Sequence, residues 1–260
     1  AADADGSAAC AGLSLTLCGL IWPDIRMEQK SIERELNKNS SLLEERLTSI
    51  SEIINTNEDL MLKNNDQFLS DLESRGLINA KKRYVYSHNP SDMGHIMTQE
   101  RFNLSIMPIL FRQGFVIIGY SVFEIAMNNL ATICEDFAGS KIKIKDLVSR
   151  GSDVERSINY LRKVIDVSFD EIDNLRIRLD EYRMIRNLIV HYHGDIEYFR
   201  EKNPSSTKSI NRYHQIVQND PDLHFGNGVL FISKTYILKH IQIMQDFIHS
   251  ISISISRRMS

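Results

Sequence analysis

Apolar residues fall at intervals of three, four and seven over four long stretches of this chain. That spacing fits one face of an α-helix and not the alternation of a strand. Val116, Ile117, Tyr120, Phe123, Met127, Leu130 and Cys134 form one set. Ile172, Leu175, Leu179, Ile185, Leu188, Ile189 and Tyr192 form a second, and Ile237, Ile241, Met244, Ile248, Ile251 and Ile255 a third. Nearer the start, Leu36, Leu43 and Ile50 repeat every seven residues, as do Leu47, Ile54, Met61 and Phe68. Only 12 Gly and 5 Pro occur in 260 residues, too little turn punctuation for an all-β protein of this length. The pattern predicts an all-α fold, a helical bundle with an added N-terminal helical segment. Residues 223–232 are the exception, where apolar runs flank Gly226-Asn227-Gly228 and predict a small β-hairpin near the C-terminus. The Ile-Ser alternation from Ile251 suits a last helical turn or a strand.

Composition divides the chain into three parts. Residues 1–26 are rich in Ala, Gly and Ser and hold Cys10, Cys18 and the only tryptophan, Trp22. They read as a leader foreign to the rest, with Met27 as the natural start. A secretory signal is the weaker reading, because no positive residue precedes the apolar stretch. Residues 27–94 read as an N-terminal helical extension and linker. Its heptads fit one or two amphipathic helices packed on the main domain, or a coiled-coil seam to another chain. Between about residues 76 and 94 the periodicity fails, and Lys81, Lys82 and Arg83 cluster with Tyr84 and Tyr86. Basic and aromatic residues together can hold single-stranded nucleic acid, so these three cations are candidate RNA contacts; a solvated linker is the alternative. Residues 95–260 read as the main helical domain.

A composition of 42% hydrophobic and 25% charged residues is that of an ordinary soluble globular protein. The net charge of −3 excludes a strongly basic nucleic-acid coat but leaves room for a focused basic site. The most apolar stretch, residues 108–137, is interrupted by Arg112, Glu124, Asn128 and Asn129, so no membrane span is expected. Ser121, Glu124 and Asn128 form a polar line on that helix and require partners or a water-filled cleft. Cys134 reads as a buried thiol, and the three cysteines lack metal-site spacing, which fits a reducing cytoplasm. No Gly-rich phosphate loop, nucleophile elbow, paired-cysteine zinc site or HExxH sequence occurs, so no cofactor or metal is expected.

The chemistry concentrates in Arg186-Asn187-Leu188-Ile189-Val190-His191. At about 100° per residue, Leu188, Ile189 and Tyr192 lie beside Ile185 on the buried face. Arg183, Asn187 and His191 then form a stripe away from the core, with Arg186 on its flank. Guanidinium binds phosphate as a bidentate fork, and imidazole moves protons near neutral pH. Ser168 and Glu171 read as a capping box opening this helix, and Gly194 as its end. A helix over residues 153–167 is expected before it and a polar loop over residues 201–209 after it. The rival interpretation is a helix end on which Arg186 and His191 merely complement the dipole.

An apolar helix bearing Glu124, a linker, a helix with Arg-Asn-x3-His and a terminal amphipathic helix follow one another in this chain. Over residues 100–256 that order resembles the HEPN superfamily (higher eukaryotes and prokaryotes nucleotide-binding domains), many of whose members are metal-independent ribonucleases. The resemblance implies a HEPN-like bundle and a homodimer whose two copies of Arg186, Asn187 and His191 form one cleft. It implies RNA as substrate, with Glu124 orienting Arg186 across the cleft or held with it in a structural ion pair, and a toxin or abortive-infection context in antiviral defence with an antitoxin or regulatory partner; Arg183, which shares the stripe, is a further candidate RNA contact. His193 stands where some relatives carry a modified Tyr, which puts that regulation in doubt. The alternative is a non-catalytic HEPN-like module that binds RNA, nucleotide or a protein partner.

Overall fold

The protein, represented by a computed structural model, is described for residues 25–75, 78–79, 84–85, 94, 98, 106–147 and 152–259. The described residues are mostly helical, at 82%. Seven α-helices have described bounds: α1 Ile25–Ser74, α2 Met107–Ala138, α3 Asp153–Lys163, α4 Asp173–Tyr192, α5 Ile196–Lys202, α6 Thr207–Asn219 and α7 Lys234–Met259. Two antiparallel strand pairs accompany them. Strands β1 Ile78–Asn79 and β2 Tyr84–Val85 pair in the stretch where periodicity fails, and β3 Leu223–Gly226 pairs with β4 Val229–Ile232 near the C-terminus. The leader, apart from the first residues of α1, lies outside the described residues, as do Lys81, Lys82 and Arg83.

The N-terminal heptads form one unbroken helix of 50 residues. Its first half packs: Ile32, Leu36, Leu43, Leu47, Ile50 and Ile54 are buried against α2 and α7 in the main core. Beyond Ile54 the helix thins out, and Leu60 and Leu62 are exposed. A bidentate ion pair anchors this outer half, with Arg112 Nε and Nη2 donating to Glu58 Oε1 and Oε2 at 2.6 and 2.7 Å. The same guanidinium donates to the Ile232 carbonyl at 3.3 Å, joining α1, α2 and β4.

Helix α2 is the central element, contacting α1, α3, α4 and α7. By length and composition it could cross a bilayer, but Val116, Tyr120, Phe123, Met127, Leu130 and Cys134 are buried within the bundle. Burial pushes the Cys134 thiol up to about 12, which keeps it protonated and inert. Two of the polar residues on α2 find local partners. Ser121 Oγ donates to the Ile117 carbonyl at 2.9 Å, and Asn128 Oδ1 accepts from Ser157 Oγ at 2.7 Å. Glu124 has no such bond among the described residues.

Several local expectations are corrected. Helix α3 stops at Lys163, short of residue 167, and Asp166 adopts φ 64° just beyond it. The capping box at Ser168 does not form: Ser168 Oγ accepts from the Asp170 amide at 3.3 Å, and a 3-10 turn over Asp170–Ile172 leads into α4. Asp170 thus sits two residues after the serine and reaches its oxygen first. The polar loop of residues 201–209 shrinks to residues 203–206, because α5 and α6 occupy its ends. The closing Ile-Ser alternation is helical, with Ile251 and Ile255 fully buried and Ser40 and Ser252 hydroxyls 3.0 Å apart.

The expected hairpin is present, with Leu223 opposite Ile232 and Gly226 opposite Val229. Asn227 and Gly228 both have positive φ, 50° and 82°, the two-residue connection whose twist matches antiparallel strands. The hairpin matters because it grips the exit from α4. The Leu230 amide donates to the Gly194 carbonyl at 2.8 Å, and the Ile196 amide donates to the Gly228 carbonyl at 3.0 Å.

Candidate active site on helix α4

Helix α4 presents its residues much as the apolar spacing requires. Leu179, Ile185, Leu188 and Ile189 are buried, together with Tyr182, which the apolar set omitted. Tyr182 is central: its ring lies 6.4 Å from Tyr120, 5.7 Å from Tyr236 and 4.7 Å from His240. That stack fixes the rotation of α4 relative to α2 and α7. On the other side, Arg183 and Asn187 are half-buried, and Val190 and His191 are exposed.

Arg186 is half-buried on the flank facing α2. Its guanidinium carbon lies 5.8 Å from the Tyr120 ring centroid, within the range of a cation–π contact. Its Nη1 donates to Asn187 Oδ1 at 3.0 Å, and its Nε is buried with no hydrogen-bond partner among the described residues. Three of the four arginines on α4 hold a carboxylate of their own helix: Arg176 with Asp173, Arg178 with Glu181, and Arg183 with Asp180. Arg186 alone among them has no ion pair in the described residues. Arg183, a supporting residue in the sequence reading, has its Nε and Nη2 both on Asp180 Oδ1, at 3.0 and 2.6 Å. An anionic ligand would have to compete with that aspartate.

Glu124 lies close enough for the charges of Glu124 and Arg186 to be felt, without a direct ion pair. Burial pushes its carboxyl above the ordinary value; the Arg186 charge opposes this and Asp153 reinforces it. Burial also pushes the Tyr120 phenol up to about 12, helped by Glu124 and opposed by Arg183, a Ser152 hydrogen bond and Arg186. Tyr120 therefore stays neutral beneath the cation. The structure thus brings Arg186, Asn187, Glu124 and Tyr120 together. Asn187 accepts from the Arg186 guanidinium and so helps to orient it. His191 stands apart at the last turn, with only an edge contact to the Tyr192 ring at 6.2 Å among the described residues.

A cleft lies beside this group, and Ser152, Glu155, Arg176 and Asp180 on its wall were not singled out in the sequence. This narrow space, of about 30 Å³, is lined by Tyr120, Ser152, Glu155, Arg176, Asp180 and Arg183, among others. No cluster of three or more His, Cys, Asp or Glu able to hold a metal occurs among the described residues. Searches of protein-family models, curated proteins and solved structures returned no match for this chain.

Proposed function

We propose that the protein is a HEPN-like, metal-independent endoribonuclease whose site is completed by a second copy of the chain. The observation that carries this reading is Arg186: a permanent cation oriented by Asn187, backed by a neutral aromatic ring and free of any carboxylate in the described residues. Such a group suits a phosphodiester, whose charge it would neutralise as the transition state develops. His191, exposed five residues on, supplies the proton-transfer group.

In the reaction, a ribose 2′-hydroxyl attacks the adjacent phosphorus. The O2′–P bond forms and the P–O5′ bond breaks. One imidazole takes the 2′ proton, another proton reaches the leaving 5′ oxygen, and the products carry 2′,3′-cyclic phosphate and 5′-hydroxyl ends. His191 serves as base or acid, and the partner's His191 is its complement. Arg186 and His191 point about 140° apart around one helix, which favours a cleft assembled from two copies.

An uncovered face of α2 supports the dimer. Leu110, Ile118 and Ile125 are exposed to 56%, 49% and 48%. Burying such a stripe against its own copy removes apolar surface from water. A toxin or abortive-infection role in the cytoplasm, held in check by a regulatory protein, belongs to the same proposal.

The test is cleavage of single-stranded RNA in EDTA. His191→Ala is expected to lose about 10²- to 10⁴-fold, the share of a general acid or base. Arg186→Ala is expected to lose about 10²- to 10³-fold. Equal rates in all three proteins, or a strict monomer that cleaves, would remove the composite site.

A further inference from the structure

The end of α4 carries a second set of groups that the cleavage site does not use. His193 and Gly194 both adopt left-handed backbone, φ 55° and 72°, so the chain turns sharply out of the helix. Asp195 then caps α5, its Oδ1 accepting from the amides of Glu197 and Tyr198 at 2.8 and 3.0 Å. This turn sets the His193 ring against Tyr198, with centroids 6.2 Å apart and planes within 22°. One helical turn later, Lys202 Nζ lies 5.3 Å from the Tyr198 ring centroid. His193, Tyr198 and Lys202 are all exposed. Of the nearby acids, Asp195 acts as the cap and Glu197 pairs with Arg200, while Glu201 has no ion pair among the described residues.

Tyr192 links this patch to the cleavage site. Its ring meets His191 edge-on at 6.2 Å and Tyr198 at 6.2 Å. It is itself held by Phe199 at 4.8 Å and by Asn203, whose Nδ2 donates to its hydroxyl at 3.0 Å. The hub is therefore rigid, and Tyr198 sits two ring contacts from His191.

We propose that Tyr198, flanked by His193 and Lys202, is a single-stranded RNA subsite adjoining His191: a nucleobase stacks on the tyrosine and a neighbouring phosphate meets the lysine. The inference rests on the ribonuclease reading and adds where the strand runs. Every base has a π-face, so the subsite favours unpaired RNA over duplex without selecting a sequence. A solvated aromatic–cation pair of purely structural value would show neither preference.

The experiment uses the full chain carrying His191→Ala, so that RNA survives, and reads fluorescence anisotropy of a labelled single-stranded oligoribonucleotide. Adding Tyr198→Ala is expected to weaken binding by about 5- to 100-fold, while Tyr198→Phe, which keeps the ring, retains it. Lys202→Ala is expected to lower the slope of log affinity against log salt by about 0.7, one single-strand phosphate contact. Unchanged thermal midpoints in the added variants exclude misfolding at these exposed positions. Tight binding by the His191→Ala parent with no loss in Tyr198→Ala overturns the subsite and leaves the ribonuclease reading standing. No binding by the parent, with no cleavage by the wild type, overturns both.

Discussion

At the residue scale, the chemistry turns on which polar groups the core leaves free and which it consumes. Arg183 and Arg186 look interchangeable in the sequence, yet Asp180 takes the first and no described carboxylate takes the second. Angular spacing placed Asn187 and His191 on the outer stripe correctly. It could not foresee that Asn187 would accept from Arg186, because that depends on χ angles chosen against Tyr120. His240 shows the opposite fate. It lies 4.7 Å from the Tyr182 ring and 4.2 Å from the Tyr236 ring, with Nδ1 2.8 Å from the Tyr236 carbonyl. Burial lowers its pKa to about 4; the Tyr236 carbonyl and Asp220 oppose this, while Lys239 and Arg178 add to it. The unfolded chain, with an ordinary histidine near 6.5, binds more protons than the native one between those values. Stability contributed by the neutral form is therefore present above about pH 6.5 and lost as pH falls towards 4, on the order of 3 kcal/mol in all. Urea unfolding from pH 7 to 4.5 should show a falling midpoint that is shallower in His240→Phe. The same slope in both proteins would assign the acid sensitivity elsewhere.

At the scale of elements, α2, α4, α7 and the 11-residue α3 were legible, while α5 and α6 were not. The apolar sets of α2, α4 and α7 each span several turns, so their period stands out from the sequence. Helix α5 has 7 residues, too few to separate a period from chance. Helix α6 does bury Ile210, Tyr213, Ile216 and Val217 at helical spacing. The Asn, Gln, Arg and His residues between them masked that signal. The exit from α4 was half legible: Gly194 marks the end, but the backbone turns left-handed already at His193. Packing explains why the glycine is needed. At φ 72°, a Cβ on residue 194 would lie 2.6 Å from Gln113 Nε2, which itself donates to the Leu230 carbonyl at 3.4 Å. Gly194→Ala is expected to cost about 1–3 kcal/mol through backbone strain and displacement of Gln113. Because the hairpin bonds to this exit, amides of β4 should also exchange faster with deuterium in the variant. An unchanged thermal midpoint would contradict the fit.

At the scale of the whole molecule, the N-terminal helix shares one core with the bundle through Leu36, Leu43, Leu47 and Ile54. The heptads at its start are thus answered by α2 and α7, as the simpler of the two sequence readings had it, while Leu60 and Leu62 remain exposed beyond. The Arg112 network ties that arm to the hairpin, and the hairpin to the end of α4. No pattern in the sequence announces such a chain of contacts, because each link joins residues far apart along it. On this frame Arg186 faces α2 and His191 faces outward, and α2 carries the exposed Leu110, Ile118 and Ile125 proposed above to meet a second copy. The most direct measurement is the end chemistry of RNA cut by the purified wild-type protein in EDTA. The account predicts fragments ending in 2′,3′-cyclic phosphate and beginning with 5′-hydroxyl. Fragments with 3′-hydroxyl and 5′-phosphate ends, or intact RNA, would contradict it.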